Sequence, residues 1–549
     1  MKRKMMVLAV AMCLIFTMVF TSCGTDKPDE GNVPANNDEE SLVSEAGLFP
    51  ITPEKVTLNV LIGGSAQVED FNTNEFTQWY EEKTNVHAVF EVLPVQGGLE
   101  KLNLILSGGD YPEVLMNTGL TQSQVMIYGS QGMFHPLNDF IEQHGYETKK
   151  IYADADTAYA KEVLTNPDGN IYAMPDINQC YHCSNGQKLW INQPWLDTLG
   201  LEMPKNLDEY ADVLRAFKND DPNGNGEADE IPLASEKVSL VTFFMNSFIY
   251  SDNIKNIFLN NGKVDVSFNK PEWKDGLDYL KGLYAEGLID PESFTQDWDQ
   301  MKQLGENPEE VILGSATGLH MGMFTQFYGE SGRWLDQAAV PPLFNGDKAP
   351  TAQYDPYQVT PDTVITDKCE NPEVAFKWID GMYEFEAGMR SIFGKPEVQW
   401  VLAEDGDIGI NGDPAIYKLL IPWSETVQNV TWAQVGPQVR NNTFRMGETS
   451  KAEDPLETLL YQATKKYEPF NPDMTQLVPP LLFTEEQSSE LADLEVTIQD
   501  YVRQMNARFI TGDADLDNEW DAFIQTLDDM GLSRFIEIHQ EAYDTKYGN

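Results

Sequence analysis

Between Val56 and Met116 the chain alternates strand-like apolar runs with helically spaced ones, and this alternation constrains the fold more than any other feature. "VTLNVLIGG" (56–64) is an apolar-rich strand that ends in glycines. "NEFTQWYEEKTNV" then spaces Phe76, Trp79 and Tyr80 for a helix, and "HAVFEVLP" reads as a second strand. "LEKLNLILSGGDYPEVLM" puts Leu102, Ile105 and Leu106 on one helix face, followed by a glycine stop and a short third strand. Strand, helix, strand, helix, strand calls for an open α/β sheet, whose ligand crevice lies at the carboxyl ends of its strands. Gly63, Gly64 and Ser65 therefore either border a crevice or form an ordinary tight turn.

Ahead of this region, "MKRKMMVLAVAMCLIFTMVFTSCG" sets Lys2, Arg3 and Lys4 before an apolar run too short and too early for a stable membrane-spanning helix. It reads as an export signal over residues 1–22. The run closes on "FTSC", which resembles a bacterial lipobox; that resemblance implies cleavage before Cys23 and lipidation, palmitate included, at Cys23. Residues 23–54, lipidated cysteine and acidic polar stretch together, read as a tether that buries too little surface to fold. The remaining chain, about 500 residues, exceeds one hydrophobic core and predicts two domains. Lys and Arg number 37 against 88 Asp and Glu, a net charge of −51. Such a field repels nucleic acid and anionic lipid, so no nucleic-acid role is expected and membrane attachment is expected through the lipid anchor alone. A hydrophobic content of 41% with 11% aromatic residues argues against global disorder.

With Cys13 in the signal and Cys23 at the anchor, Cys180, Cys183 and Cys369 remain, too few for a disulfide scaffold. "CYHC" (180–183) has zinc-like spacing, but no second cysteine pair follows and only His182 sits inside it. A short-loop disulfide or two unpaired thiols account for it better than metal or redox chemistry.

The most informative stretch runs from Asp220 to Leu233, "DDPNGNGEADEIPL". Asn206 and Glu209 make an N-cap and capping-box pair, and Tyr210, Val213, Leu214 and Phe217 then form an amphipathic stripe leading into it. Counted from Asp221, oxygen-bearing side chains fall at the first (Asp221), third (Asn223), fifth (Asn225) and ninth (Asp229) positions, with Gly226 at the sixth, where an EF-hand loop turns sharply. Glu227 would offer its backbone carbonyl at the seventh. The twelfth position, where an EF-hand places a bidentate Glu, is Pro232, and Glu230 at the tenth is its replacement. This donor set fits a structural Ca²⁺ better than Mg²⁺, which demands stricter six-fold geometry and keeps its waters.

"WINQPWLDTLGLEMPKNLDEYADVLRAFKNDDPNGNGEADEIPL", with "DGNIYAMP", "KLNLILSGGDYPEVLM" and the carboxy-terminal "DNEWDAFIQTLDDMGLSRFIEIHQEAYD", resembles the family 1 extracellular solute-binding proteins, especially the large Gram-positive lipoproteins that serve sugar ABC transporters. The resemblance spans nearly the whole mature chain. It implies an α/β, two-lobed periplasmic-binding-protein-like fold (type II), hinged, with a helical C-terminal extension, and a structural calcium in the loop from Asp221 to Glu230. Lobe 1 is expected over 55–165 plus 311–365, and lobe 2, with the calcium loop, over 166–310 plus 366–549. The implied protein is no enzyme: lipid-anchored on the extracellular face of the cell membrane, it captures a carbohydrate, foremost an oligosaccharide, and delivers it to the membrane permease subunits of an ABC importer.

Sugar rings present C–H faces to aromatic planes and hydroxyls to amides and carboxylates. Trp298, Trp400, Trp423 and Trp432 lie in polar, irregular stretches and are candidates for such a cleft, whereas Trp273, Trp378 and Trp520 have the helical spacing of core. Phe324 and Gln326 follow a glycine-rich strand end, and Tyr181, Asn246 and Ser65 complete the candidate set. A secreted calcium-containing glycosidase or polysaccharide lyase would use the same residue types, and a purely adhesive lipoprotein is a third class. No nucleophile elbow, HExxH or P-loop supports an enzyme.

Overall fold

The computed structural model describes residues 42–548 apart from 238, 253–254, 422–425 and 452–454. The export signal, Cys23 and Trp423 lie outside the described residues.

The alternating segment builds a six-stranded sheet, ordered Val439–Arg440, Met174–Asn178, Val359–Ile365, Val114–Met116, Val56–Ile62, Val86–Val92. Every strand runs in one direction except Val359–Ile365, which is antiparallel to both of its neighbours. Val56–Ile62 is continuously apolar at its end because both faces are covered: Leu58, Val60 and Ile62 join one core with Phe76 and Tyr80, and Leu61 joins another with Leu102 and Leu106. The helix Glu75–Thr84 starts at Asn74, whose side chain accepts from the Phe76 N–H, and stops at Asn85 in the left-handed region.

A second core surrounds a three-stranded antiparallel sheet with Lys188–Asn192 between Ser315–Gly318 and Gln337–Val340. The helix Leu207–Asn219 buries the expected Tyr210, Val213, Leu214 and Phe217 against it. Asn206 caps that helix through the Glu209 N–H at 2.9 Å, but the Glu209 carboxylate accepts from the Lys205 N–H rather than closing a box on Asn206. The late helix Glu485–Thr511 buries Leu491, Ile498 and Met505 here, with Leu494 and Tyr501 partly covered.

The assignment of segments to the two cores differs from the expected boundaries. Of 311–365, the strands Ser315–Gly318 and Gln337–Val340 pair with Lys188–Asn192, and only Val359–Ile365 enters the six-stranded sheet. Of 366–549, Val374, Phe376, Trp378 and Ile379 belong to the core of the six-stranded sheet, and the Tyr80 hydroxyl donates to the Trp378 carbonyl at 2.7 Å. The apolar face of Pro372–Asp380 covers sheet surface that the helix Glu75–Thr84 leaves open.

Two tryptophans expected in a cleft are also core. Trp432 is 1% exposed; its Nε1 donates to Thr77 Oγ1 at 2.8 Å, and Phe76 and Phe90 meet its ring edge-on at 4.8 and 5.4 Å. Trp400 is 4% exposed, donates Nε1 to the Gly394 carbonyl at 2.8 Å and forms a small core with Met389, Tyr417 and Leu419. The chain around each is irregular and polar, yet it folds over the ring. Trp432→Ala should therefore lower unfolding free energy by about 3 kcal/mol or more through the cavity it leaves. Denaturant unfolding measures this; an unchanged midpoint would show that the ring is not core.

Candidate functional site

At the carboxyl edge of the six-stranded sheet the strand ends crowd together. The Gly63 N–H donates to the Met116 carbonyl at 3.0 Å, and a Cβ on Gly63 would lie 2.0 Å from the Asn117 carbonyl oxygen, so only glycine fits. Gly64 is bound likewise, with the Leu93 carbonyl oxygen 2.2 Å from where its Cβ would be. Ser65, half-buried, follows and accepts the Gln67 N–H on Oγ at 3.2 Å. Met174–Asn178 and Val439–Arg440 end on this same edge and Val359–Ile365 begins there, so the chain leaves for and returns from the second sheet at one place.

The polar residues of this edge are mostly buried. Arg445 donates from Nη1 to Asn178 Oδ1 at 3.0 Å and lies 3.9 Å from Glu457, which is 3.7 Å from His182 Nδ1. Arg440 donates to Gln434; burial, with Arg445 nearby, pushes its guanidinium down to about 10. Asp362 is raised to about 7 by burial, and Asp176 is raised by burial and then by repulsion from Asp362, against the pull of Arg440. Lys188, fully buried at the start of its strand, donates to the His182 and Asn185 carbonyls at 2.7 and 2.6 Å, and burial pushes it down to about 7. His182 is lowered by burial and by Arg445, Lys188 and His320; His320 falls to about 4 by burial first and Lys188 second. Among the described residues, Asp176 Oδ1, Arg440 Nε, Asn185 Oδ1, Asn442 Oδ1 and His320 Nδ1 are buried with no hydrogen-bond partner. A set of unpaired buried donors and acceptors is costly in a core.

Of the sequence candidates, Ser65 lies on this edge, and Trp298 lies at the facing end of the second sheet. Trp298 is half-buried at the start of the helix Trp298–Gly305, capped by Asp297, and its Cη2 would sit 3.4 Å from a Cβ on Gly318. Phe324 is instead fully buried in the second core, where its backbone packs against Gly305. Gln326 is exposed, with its N–H donating to Glu306. Tyr181 donates to Glu468 at 3.1 Å and lines a pocket of about 390 Å³ with Gln179, Ser184 and Tyr354. Asn246 is buried and spends its amide on the Thr242 and Ser251 carbonyls; it borders a pocket of about 1100 Å³ that shares no lining residue with the carboxyl edge. Arg440 and Arg445 escaped the sequence reading, and His182 was weighed only within "CYHC", because only the fold joins 182 to 440; "VRNNTFRM", two arginines amid amides in a cation-poor chain, was the available signal.

The acidic loop connects Leu207–Asn219 to Ile231, which bridges to Leu313 beside the second sheet. Asp221, at φ 46°, accepts the Asn225 and Gly226 N–H groups at 3.1 and 3.0 Å, and Gly224 and Gly226 hold φ of 74° and 80°. Asn223 and Asn225 turn their side-chain amides to Asp229 at 3.1–3.2 Å, so the side chains at these three positions converge. Glu230 Oε1 is buried without a partner, and its carboxyl is raised by burial and then by Asp229 and Asp221. Converging carboxylates with one orphaned oxygen fit a hard cation: rotating the two amides would turn their oxygens inward.

Two cores, one around each sheet, are joined by chain crossings at one sheet edge. Residues 65–389 match the family model of the bacterial extracellular solute-binding proteins, and the chain belongs to that family. It is 28% identical over 529 residues to the fructooligosaccharide ABC transporter substrate-binding protein FusA of Streptococcus pneumoniae serotype 4 (strain ATCC BAA-334 / TIGR4), covering 92% of this chain and 93% of that one. Among solved structures, FusA in complex with kestose superposes with a TM-score of 0.70 at 27% identity, covering 89% of this chain and 99% of that one. An EF-hand mutant of FusA in complex with fructo-nystose gives 0.69, again at 27% identity and with the same coverage. An HMO-binding solute-binding protein from Bifidobacterium longum infantis ATCC 15697 shares the fold with a TM-score of 0.77 at 19% identity, covering 90% of this chain and all of that one.

The two lowered histidines set a pH dependence. Folded His182 and His320 bind a proton less readily than the ordinary imidazole at 6.5, so their stabilisation is complete above pH 6.5 and is lost as pH falls toward 4. His320→Asn should flatten this acid limb by up to about 1 kcal/mol per pH unit, allowing for partial exposure. Urea unfolding from pH 7.5 to 4.5 would reveal it, and an unaltered slope would mean His320 protonates freely in the fold.

Proposed function

We propose that this protein is an extracellular, lipid-anchored binder that captures an oligosaccharide between its two lobes and delivers it to the permease subunits of an ABC importer. The observation that carries the reading is similarity to a fructooligosaccharide-binding transporter component over nine-tenths of both chains. The residue chemistry supports it: Trp298 is a half-buried aromatic, Ser65, Asn178, Arg440 and Arg445 carry hydrogen-bonding groups, and binding requires no bond to break. The anchor is Cys23, read from the lipobox-like "FTSC"; among the described residues no helix is long and apolar enough to cross a membrane.

Screening a glycan panel by thermal shift, with product analysis in parallel, tests the reading. A fructooligosaccharide or related glycan should raise the melting temperature and be recovered intact; hydrolysed product would make the protein an enzyme. Trp298→Ala should then weaken binding by about 2 kcal/mol, roughly thirtyfold, as loss of a stacking aromatic does in a desolvated cleft. Early melting with wild-type affinity would return Trp298 to the core.

The loop is proposed to hold Ca²⁺ through the side chains of Asp221, Asn223, Asn225, Asp229 and Glu230 and the carbonyl of Glu227. The ion would neutralise the carboxylates and fix the loop to the second sheet. Chelator should lower the melting temperature without abolishing folding, and Glu230→Gln should remove most of that difference. Because the Glu230 carboxyl is raised above 4.5 without the ion, the calcium-dependent increment should shrink as pH falls into that range. A melting curve indifferent to chelator at pH 7 would overturn the site.

A further inference from the structure

Solute capture leaves "CYHC" unexplained. Cys180 and Cys183 are joined in a disulfide on the first crossing between the two sheets. We propose that reduction of this disulfide by a thiol converts the crossing into a Zn²⁺ site held by Cys180, His182 and Cys183.

The donors are already assembled: both sulfurs and an imidazole nitrogen of His182 lie within 4.8 Å of one another. Tetrahedral zinc, with Zn–S near 2.3 Å and Zn–N near 2.0 Å, sets its ligands about 3.5 to 3.8 Å apart. Once the S–S bond is gone, the sulfurs need only part toward that spacing. His182 Nε2 stands 3.4 Å from Cys180 Sγ, so one ring nitrogen faces the sulfurs. Its other nitrogen, Nδ1, faces Glu457 Oε2 at 3.7 Å. Carboxylate, imidazole, metal is the order in which zinc-bound histidines are oriented by their outer partner.

The frame around the donors does not depend on the bridge. The Cys183 and Ser184 N–H groups donate to the Cys180 carbonyl at 2.9 and 3.0 Å, closing a turn between the two sulfurs. Lys188 holds the His182 carbonyl, and Gln358 on the second crossing accepts the Cys180 N–H. Cys183 is half-exposed, which gives an ion a way in, and a fourth coordination position is left for water or solute. The chemistry balances: two small thiols reduce the protein disulfide to two protein thiols and leave as their own disulfide, then Zn²⁺ displaces the two thiol protons. Two thiolates and a neutral imidazole cancel the ion's charge, so no net charge is added beside Arg440 and Arg445.

The full mature chain, loaded with calcium, would be reduced with excess glutathione, desalted without oxygen and titrated with Co²⁺. One equivalent should give thiolate-to-cobalt absorption in the near ultraviolet and tetrahedral bands in the visible, both abolished by Zn²⁺. Cobalt in the all-oxygen acidic loop gives no thiolate band. Oxidised protein and Cys180→Ser should lack the signature. Glu457→Gln should keep it and bind about tenfold or more weakly, as loss of an outer partner does. Reduced protein without a thiolate band, or a band that survives Cys180→Ser, overturns the site; unchanged affinity in Glu457→Gln overturns the role of Glu457.

Discussion

The arrangement rests on one strand pairing. Val359–Ile365 returns from the second sheet and inserts, antiparallel, between Val114–Met116 and Met174–Asn178. The strand that leaves the first lobe and the strand that re-enters it are therefore neighbours, joined by a ladder of backbone hydrogen bonds. The two links emerge side by side and are tied again by Gln358, which accepts the Cys180 N–H and donates back to the Cys180 carbonyl at 3.4 Å. These two adjacent links, with a third that leaves after Val439–Arg440 for the second core, constrain orientation where a single tether would leave it free. Arg440, Arg445 and the lysine that holds the His182 carbonyl lie near these links.

The charge distribution gains meaning there. In a chain of net −51, cations buried where the links emerge are conspicuous. Arg440 and Lys188 are both pushed down by burial, Asp176 and Asp362 both up, and among the described residues Asn185 Oδ1, Asn442 Oδ1 and His320 Nδ1 nearby have no hydrogen-bond partner. A core built for stability alone would replace such groups with hydrocarbon. At this edge such groups gather, while the sheet cores are apolar.

What was legible in the sequence was whatever is local. The α/β alternation, the stripe on Leu207–Asn219, the late helix and the ligand spacing of 221–230 all depend on residues within a few turns of one another. Segment allegiance was not legible: the apolar pattern of Ser315–Gly318 or Pro372–Asp380 says that a face is buried, not which sheet buries it. Trp400 and Trp432 misled for a related reason. Polar neighbours report that the backbone touches water, and a ring can still turn inward under that backbone. The buried edge was the least legible part, since 176, 182, 188, 362, 440 and 445 meet only after both crossings are made.

The inserted strand also dictates the order of events during folding. The first sheet begins at residue 56 but is not complete until Val359–Ile365 and Val439–Arg440 have arrived, and the helices that cover the second core continue to residue 547. Neither body can finish from the amino-terminal half of the chain. Until then Val114–Met116 stands as an open edge, and the closing contacts span hundreds of positions, which slows assembly. A chain wired this way commits to its shape only after its last helices are available to close both cores.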